Sequence, residues 1–252
     1  MTMNPWRRWA APTLVAALMT GLSACGGGGS AAPASQVQSD ADGIWQGTST
    51  VNGGTQSAAA VILPDGQAWM LLGDDSGFKT LVQGEWLAKA AALSFSGTAQ
   101  WFDLQNAGAK GGVINWQGTA TAQSELLIHP DATSNPLGEP QFATWRALQS
   151  SPALSVVGTW TDQLETPLVS WTIDAQGVLS GNSSACDYSG QLSAPAGVTA
   201  VQSLTLTETC GPQITAFKGI VTAGEDAAHR NFSLISTGEP PSALMLSLVA
   251  AP

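Results

Sequence analysis

From residue 42 onward, apolar and polar residues alternate with a period of two rather than 3.6. Apolar residues alternate with hydroxyl side chains in Val169–Ile173 and Leu204–Thr207, and Leu244–Leu248 is a more apolar version of the same pattern. This alternation predicts half-buried β-strands. Only two short stretches, Trp86–Leu93 and Asp226–Arg230, are candidates for helices.

Turn-forming residues separate the predicted strands, as in Asn52-Gly53, Pro64-Asp65-Gly66, Ala175-Gln176-Gly177 and Ala223-Gly224. Asn-Gly and Asp-Gly favour tight hairpin turns because they tolerate positive φ. A series of hairpins forms an antiparallel meander, which must close or pack against a second sheet to cover its edges. The predicted fold is therefore all-β, with two small barrel-like or sandwich units.

The two units are predicted from a weak internal repeat. Gly43-Ile-Trp45 opens the first half and Gly158-Thr-Trp160 opens the second, and in each half a strand, a Gly-containing turn and another strand follow. The predicted units are residues 42–150 and 151–252, joined near Ser150-Ser151-Pro152. A chance match of common strand-start residues is the alternative explanation.

The first 24 residues have the pattern of a bacterial signal peptide. Arg7 and Arg8 precede the apolar stretch Ala10–Gly21, which is too short to cross a membrane because a spanning helix needs about 20 apolar residues. The stretch ends in Leu22-Ser23-Ala24-Cys25, which resembles the lipobox of bacterial lipoproteins. An ordinary secretory signal followed by a chance cysteine is the alternative.

The lipobox resemblance implies cleavage before Cys25 and several fatty acyl chains on that residue, which would anchor the chain in a membrane. In bacterial lipoproteins, Asp after the lipidated Cys directs retention at the inner membrane. Gly26 stands there, so the resemblance implies the outer membrane. Residues 25–41 are rich in Gly, Ala, Ser and Pro, and they form the predicted flexible linker.

The charge of the chain limits its partners. The formal net charge is −10, from 18 acidic and 8 basic residues. The basic residues after the leader are scattered, which argues against binding nucleic acid or an anionic lipid surface, because both require clustered Lys and Arg. The predicted partners are the membrane, through the lipid anchor, and an envelope protein or a small ligand.

Cys186 and Cys210 remain once Cys25 carries lipid. A pair of cysteines in an exported chain most often forms a disulfide, and free thiols or metal ligands are the alternatives. The run Cys186-Asp-Tyr-Ser-Gly190, followed by a later cysteine at a strand end, is similar to a module of small proteobacterial envelope lipoproteins. That resemblance implies no particular activity.

The sequence contains no recognisable catalytic or metal-binding motif. Its two histidines, His129 and His229, lie far apart, and neither a G-x-S-x-G motif nor the ligand spacing of a zinc site is present. The acidic turn Asp74–Gly77 does not continue into a calcium-binding loop. We therefore predict a non-catalytic protein without cofactor or metal. Two carboxylates that converge in the fold, such as Asp103 and Glu125, are the alternative.

Tryptophan is the compositional oddity, with ten in the chain. Three lie in the strongest strand patterns and are predicted to fill the core: Trp45, Trp160 and Trp171. Trp101 leads into Phe-Asp and a Gly-rich stretch, Trp116 is flanked by polar residues, and Trp145 is followed by Arg146. Exposed Trp and Arg side chains often anchor binding partners. The predicted binding face comprises Trp101, Trp116, Trp145 and Arg146.

Gly-x-Trp is shared with lipocalins, and Gly158–Leu164 followed by Gly177–Gly181 resembles the opening hairpin of avidins. The avidin ligand-binding Asn and Ser would fall on Asp162 and Thr166, so the resemblance implies a meander barrel rather than biotin binding. The predicted function is a binding module. A small-ligand carrier would instead have a cavity inside a barrel, and a structural lipoprotein would have a sealed core and a featureless surface.

Overall fold

The structure, a computed structural model, describes residues 41–88, 94–121, 123–131, 137–149, 153–162, 169–224 and 226–251. The predicted all-β antiparallel meander is confirmed. The strands are β1 (Gly43–Val51), β2 (Gly54–Ile62), β3 (Gln67–Asp74), β4 (Gly77–Glu85), β5 (Leu87–Ala88), β6 (Ser94–Asp103), β7 (Ala109–Thr121), β8 (Glu125–Pro130), β9 (Gln141–Arg146), β10 (Gly158–Thr161), β11 (Ser170–Ile173), β12 (Val178–Asn182), β13 (Asp187–Ser193), β14 (Val201–Cys210), β15 (Gln213–Ala223), β16 (His229–Ser236) and β17 (Ala243–Ala250). No helix in these ranges is long and apolar enough to cross a membrane.

The strands form two closed barrels. In the first barrel, β1 pairs with both β2 and β9, and β4 closes the barrel by pairing with β6. The short strand β5 continues β4 along the same edge of β6 in the same register. In the second barrel, β10 to β17 follow one another in order and β10 pairs with β17. Closure leaves neither barrel with a long open sheet edge.

Inward-facing side chains fill the first barrel. Directly opposed residues on antiparallel strands lie on the same face of the sheet, so the register identifies the inner face. One inner row runs through Trp145, Trp45, Ala60, Met70, Val82 and Trp101. Together with Trp86, Phe95 and Trp116, this row forms the core of the first barrel.

The second barrel encloses an aromatic core around Trp171, whose ring lies 5.0 Å from that of Phe232 in an edge-to-face arrangement. Arg230 is 9% exposed and covers Trp160, with its guanidinium carbon 4.9 Å from the centre of the indole ring. The Arg230 side chain also donates to the carbonyl oxygen of Ser155 at 2.8 Å. These contacts close one end of the barrel with a cation–π pair and satisfied hydrogen bonds.

The two barrels begin with the same local contact. Trp45 Nε1 donates to the carbonyl oxygen of Ala41 at 2.7 Å, and Trp160 Nε1 donates to that of Val156 at 2.7 Å, in each case four residues back. Both tryptophans are buried in the first strand of a barrel, as predicted. The shared contact and the shared strand count support the predicted internal repeat.

The helix predictions are wrong within the described residues. Leu87–Ala88 forms β5, and residues 89–93 lie outside the described ranges. Near the second candidate, Asp226–Ala228 forms a turn and His229 begins β16. The predicted leader, Cys25 and nearly all of the linker also lie outside the described residues.

A third apolar cluster joins the barrels and is here called the inter-barrel core. The first barrel contributes Val61, Trp69 and Leu81 among others, and the second contributes Ile220 and Ile235. Backbone hydrogen bonds reinforce the junction, since Ala243 N donates to Gly108 O and Thr199 N donates to Leu148 O, both at 2.8 Å. Position 108 requires glycine because its φ is +67° and an added Cβ would lie 1.8 Å from the oxygen of Ala243.

Candidate functional site

A groove of about 570 Å³ lies between the two barrels, beside the inter-barrel core. Strands β1 to β4 with the end of β9 form one wall, and β15 to β17 form the other. Its volume falls within the range of roughly 300–1,000 Å³ that is typical of small-molecule sites. The groove therefore is large enough for one small ligand and lies outside both barrels.

Two rows of residues form the wall that the first barrel contributes to the groove. Both rows face outward, because their residues alternate with those of the inner row along each strand. The first row comprises Arg146, Ile44, Val61 and Trp69, and the second comprises Gln46, Ala59, Leu71 and Leu81. Neighbouring strands lie about 4.8 Å apart, so the first row spans roughly 14 Å. Most of this wall is apolar.

The wall from the second barrel mixes apolar and neutral polar side chains. Its rows are Ile220, Ser233 and Met245, then Thr222, Asn231 and Ser247, then His229 and Val249. Some of these polar groups already have partners: Ser233 Oγ lies 3.2 Å from Met245 Sδ, and Asn231 Nδ2 lies 3.4 Å from the oxygen of Ala223. The groove thus has one mainly apolar wall and one amphipathic wall.

Trp69 is the residue that stands out in the groove. Its side chain is 4% exposed and belongs both to the groove lining and to the inter-barrel core. The indole N–H of Trp69 is buried without a hydrogen-bond partner among the described residues. Trp86 and Trp171 share this feature and lie in the barrel cores, whereas Trp69 lies in the inter-barrel core beside the groove. A buried donor without an acceptor costs about 1–3 kcal/mol.

Ionisable side chains also line the groove: Arg146, Asp162 and His229. Arg146 is exposed, and Asp162 Oδ1 accepts from the backbone N–H of Val169 at 3.1 Å. His229 Nδ1 lies 2.7 Å from Asp226 Oδ1, and this hydrogen bond lowers the pKa of the Asp226 carboxyl below its usual value. Asp226 therefore stays ionised across the neutral range and holds His229 in place.

The predicted tryptophan binding face does not form. Trp116 is 1% exposed, lies in the core of the first barrel and donates from Nε1 to the oxygen of Glu85 at 3.2 Å. Trp101 and Trp145 are half-buried and pack against the same core. The register places both in the inner row, because Trp101 is opposite Val82 and Trp145 is opposite Trp45. Only Arg146 of the predicted set lines the groove.

The predicted disulfide is confirmed, since the sulfur atoms of Cys186 and Cys210 lie at bonding distance and their Cα atoms are 4.2 Å apart. Glu208 brings a carboxylate oxygen within 4.8 Å of both sulfurs. Because the sulfurs bond to each other, neither is a thiolate that could hold a metal ion. The pair braces the strand ends of β13 and β14.

The groove wall was missed at the sequence level, although the sequence carried a signal for it. Ala58–Leu63 and Trp69–Leu72 are continuous apolar runs, whereas a strand with one solvent-facing side would alternate. Such runs indicate strands covered on both faces. Here the core of the first barrel covers one face, and the second barrel and the groove cover the other.

Comparison with protein-family models, curated protein sequences and solved structures finds no match to this chain.

Proposed function

We propose that this chain is a non-catalytic binding protein of the bacterial cell envelope, and that it binds a small, largely apolar ligand in the groove between its two barrels. The groove itself is the observation that carries the proposal. It combines the volume of a small-molecule site, an apolar wall built by strand register and a small number of polar groups.

The location of the groove favours it over the interior of either barrel as the ligand site. Large side chains occupy both interiors, since Trp45, Trp116 and Trp171 are each at most 1% exposed. By contrast, Ile44, Ala59 and other groove residues remain half-buried, as expected of a site that a ligand would cover further. In this proposal the ligand site therefore lies outside the two β-barrels.

Attachment to the outer membrane through lipid on Cys25 is the second part of the proposal. It is supported by the basic leader, the short apolar stretch and the run Leu22–Cys25. A protein held at a membrane surface by a flexible linker would meet apolar ligands where they are concentrated.

The groove can be tested by filling it. Ala59 lies in the middle of the apolar wall, and Ala59→Phe adds about six carbon atoms to the site. Each atom of a drug-sized ligand contributes about 0.3 kcal/mol, so the uncharged fluorophore N-phenyl-1-naphthylamine should bind about 20-fold more weakly to this variant of the full-length chain.

Ala143→Phe is the matched control, because Ala143 is an exposed residue of β9 that does not line the groove. It should bind the fluorophore like the wild type. If the wild-type chain does not bind the fluorophore, or if both variants bind it equally well, the groove is not the ligand site.

A further inference from the structure

We infer that the groove binds one acyl chain of the protein's own Cys25 anchor whenever that anchor is outside a membrane, and that membrane insertion empties the groove for other ligands. This inference rests on both parts of the proposed function, the apolar groove and the lipid on Cys25, and it links the two. It starts from the place where the described part of the chain begins.

The described chain begins beside the groove. Ala41 is the first described residue. Its carbonyl oxygen accepts from Trp45 Nε1 at 2.7 Å, and the next carbonyl oxygen along the chain accepts from Trp145 Nε1 at 3.0 Å. Ile44, three residues after Ala41, lies in the groove wall. Because three residues span at most about 11 Å, the predicted linker joins the first barrel within that distance of the wall.

The length of the linker brings Cys25 within reach of the whole groove. Cys25 lies 16 positions before Ala41, and Gly26–Gly29 follow it directly. A flexible chain of that length has a root-mean-square end-to-end distance of roughly 20–24 Å. The first row of the apolar wall spans roughly 14 Å. A ligand on a short flexible tether whose reach matches its site has an effective concentration of about 1 mM.

The lining of the groove suits an acyl chain. The first barrel contributes the half-buried side chains of Ile44, Leu71 and Phe78, and the second contributes those of Met245 and Val249. A methylene chain between these walls would remove its own apolar surface and theirs from water. The volume of about 570 Å³ is that of a site for one small ligand, so the groove accommodates one chain.

A membrane should compete successfully with the groove. The lipobox resemblance implies several acyl chains on Cys25, and a bilayer takes up all of them, whereas the groove takes up one and leaves the others in water. One buried chain gives only marginal attachment, and stable attachment requires a second signal. The anchor should therefore occupy the groove in solution and leave it when the protein inserts into a membrane.

A tethered chain in the groove would exclude free ligands. If the groove binds a free acyl chain with a Kd of about 10 μM, an effective concentration of about 1 mM exceeds that Kd about 100-fold. The apparent Kd of a competing free ligand then rises by the same factor. Ligand binding would thus be confined to protein that is anchored in a membrane.

The competition can be measured with a single attached chain. The mature chain that begins at Cys25 keeps every described residue and has one free thiol, because Cys186 and Cys210 are bridged. Reaction of this thiol with N-dodecylmaleimide attaches one dodecyl chain. The modified protein should bind N-phenyl-1-naphthylamine about 100-fold more weakly than the unmodified mature chain.

The matched control carries the same dodecyl chain at a different place. Ser180→Cys in a Cys25→Ala background attaches it to β12, at an exposed residue that does not line the groove. This protein should bind the fluorophore as tightly as the unmodified mature chain does.

Photo-crosslinking tests where the anchor lies. With a photoreactive amino acid at Ala59, the dodecyl-modified chain in solution should form a crosslink between position 59 and the group on Cys25. A mixture of ¹⁴N- and ¹⁵N-labelled protein should show that both ends of the crosslink belong to one molecule. The natively lipidated chain in vesicles of phosphatidylethanolamine and phosphatidylglycerol should not form the crosslink.

The outcomes separate the inference from the proposed function. If the unmodified mature chain does not bind the fluorophore, the proposed ligand site fails, and if the native chain carries no lipid on Cys25, the proposed anchor fails. If the unmodified and Cys25-modified chains bind the fluorophore equally well, or the Ser180→Cys control is weakened to the same extent, the inference is overturned while the groove remains a ligand site. Crosslinks between different molecules would place the anchor of a second copy in the groove, and a crosslink that persists in vesicles would show that membrane insertion does not empty it. Either result would also overturn the inference.

Discussion

Replacing Trp116 with alanine should strongly destabilise the protein. Trp116 is 1% exposed, packs at the centre of the first barrel and lies 6.0 Å from Trp86 in an edge-to-face arrangement. Its indole N–H also bonds to the oxygen of Glu85. Removing a fully buried Trp side chain leaves a cavity and typically costs about 3–5 kcal/mol.

The structure also predicts the size of the change in melting temperature. The inter-barrel core joins the two barrels, so they should unfold together as a unit of about 200 residues, for which each kcal/mol lowers the melting temperature by roughly 2–4 °C. Trp116→Ala should therefore melt about 6–20 °C below the wild type in a circular-dichroism or calorimetric scan.

Val113→Ala is the matched control, because Val113 lies on the same strand, β7, but is 57% exposed. It should change stability by no more than about 0.5 kcal/mol. Two results together would contradict the structure: Trp116→Ala melts like this control, and a soluble quencher reaches the Trp116 side chain in the wild type. Trp116 would then be a surface residue, and the register that places it inside the barrel would be wrong.

Three further predictions concern processing, the disulfide and pH. Cys25→Ala should leave an unprocessed precursor, detected as a band of higher mass, and normal cleavage with membrane retention would contradict the lipid anchor. Replacing both Cys186 and Cys210 with Ala should destabilise the protein by about 3.5 kcal/mol in denaturant titration, because the bridge closes a loop across a separation of 24 residues, and a change below about 1 kcal/mol would contradict this role. The hydrogen bond with His229 lowers the pKa of the Asp226 carboxyl in the folded protein. The ionised carboxylate therefore contributes its full stabilisation at pH values above the ordinary Asp pKa of about 3.9, and this stabilisation is lost as the pH falls through the lower folded-state pKa. Asp226→Asn should accordingly lower the melting temperature at neutral pH more than in strong acid, and an equal effect at both would show that the carboxylate charge contributes nothing.

Much of the fold could be predicted from local pattern. The period-two alternation, the hairpin turns and the two Gly-x-Trp runs indicated two all-β meander units with Trp45 and Trp160 in their cores. These features depend on residues close together in the chain, where periodicity and turn chemistry are informative.

The candidate site could not be predicted in the same way, because it depends on register between distant strands. Trp116 and Trp145 have polar neighbours in the sequence, yet alternation places those neighbours outside and the indoles inside. Trp101 also lies in the inner row, opposite Val82. Trp69 lies in the continuous apolar run Trp69–Leu72. Its outer face becomes a groove only because the second barrel packs beside it.

The most direct test of the central claim is photo-crosslinking of the full-length chain in living cells. A photoreactive amino acid is placed at Ala59 in the groove or at Ala143 on the exposed surface of β9. We predict that mass spectrometry will detect a small-molecule adduct at position 59 and none at position 143. Adducts at neither position, the same adducts at both, or a cross-linked protein at position 59 would contradict the claim that the groove binds a small ligand.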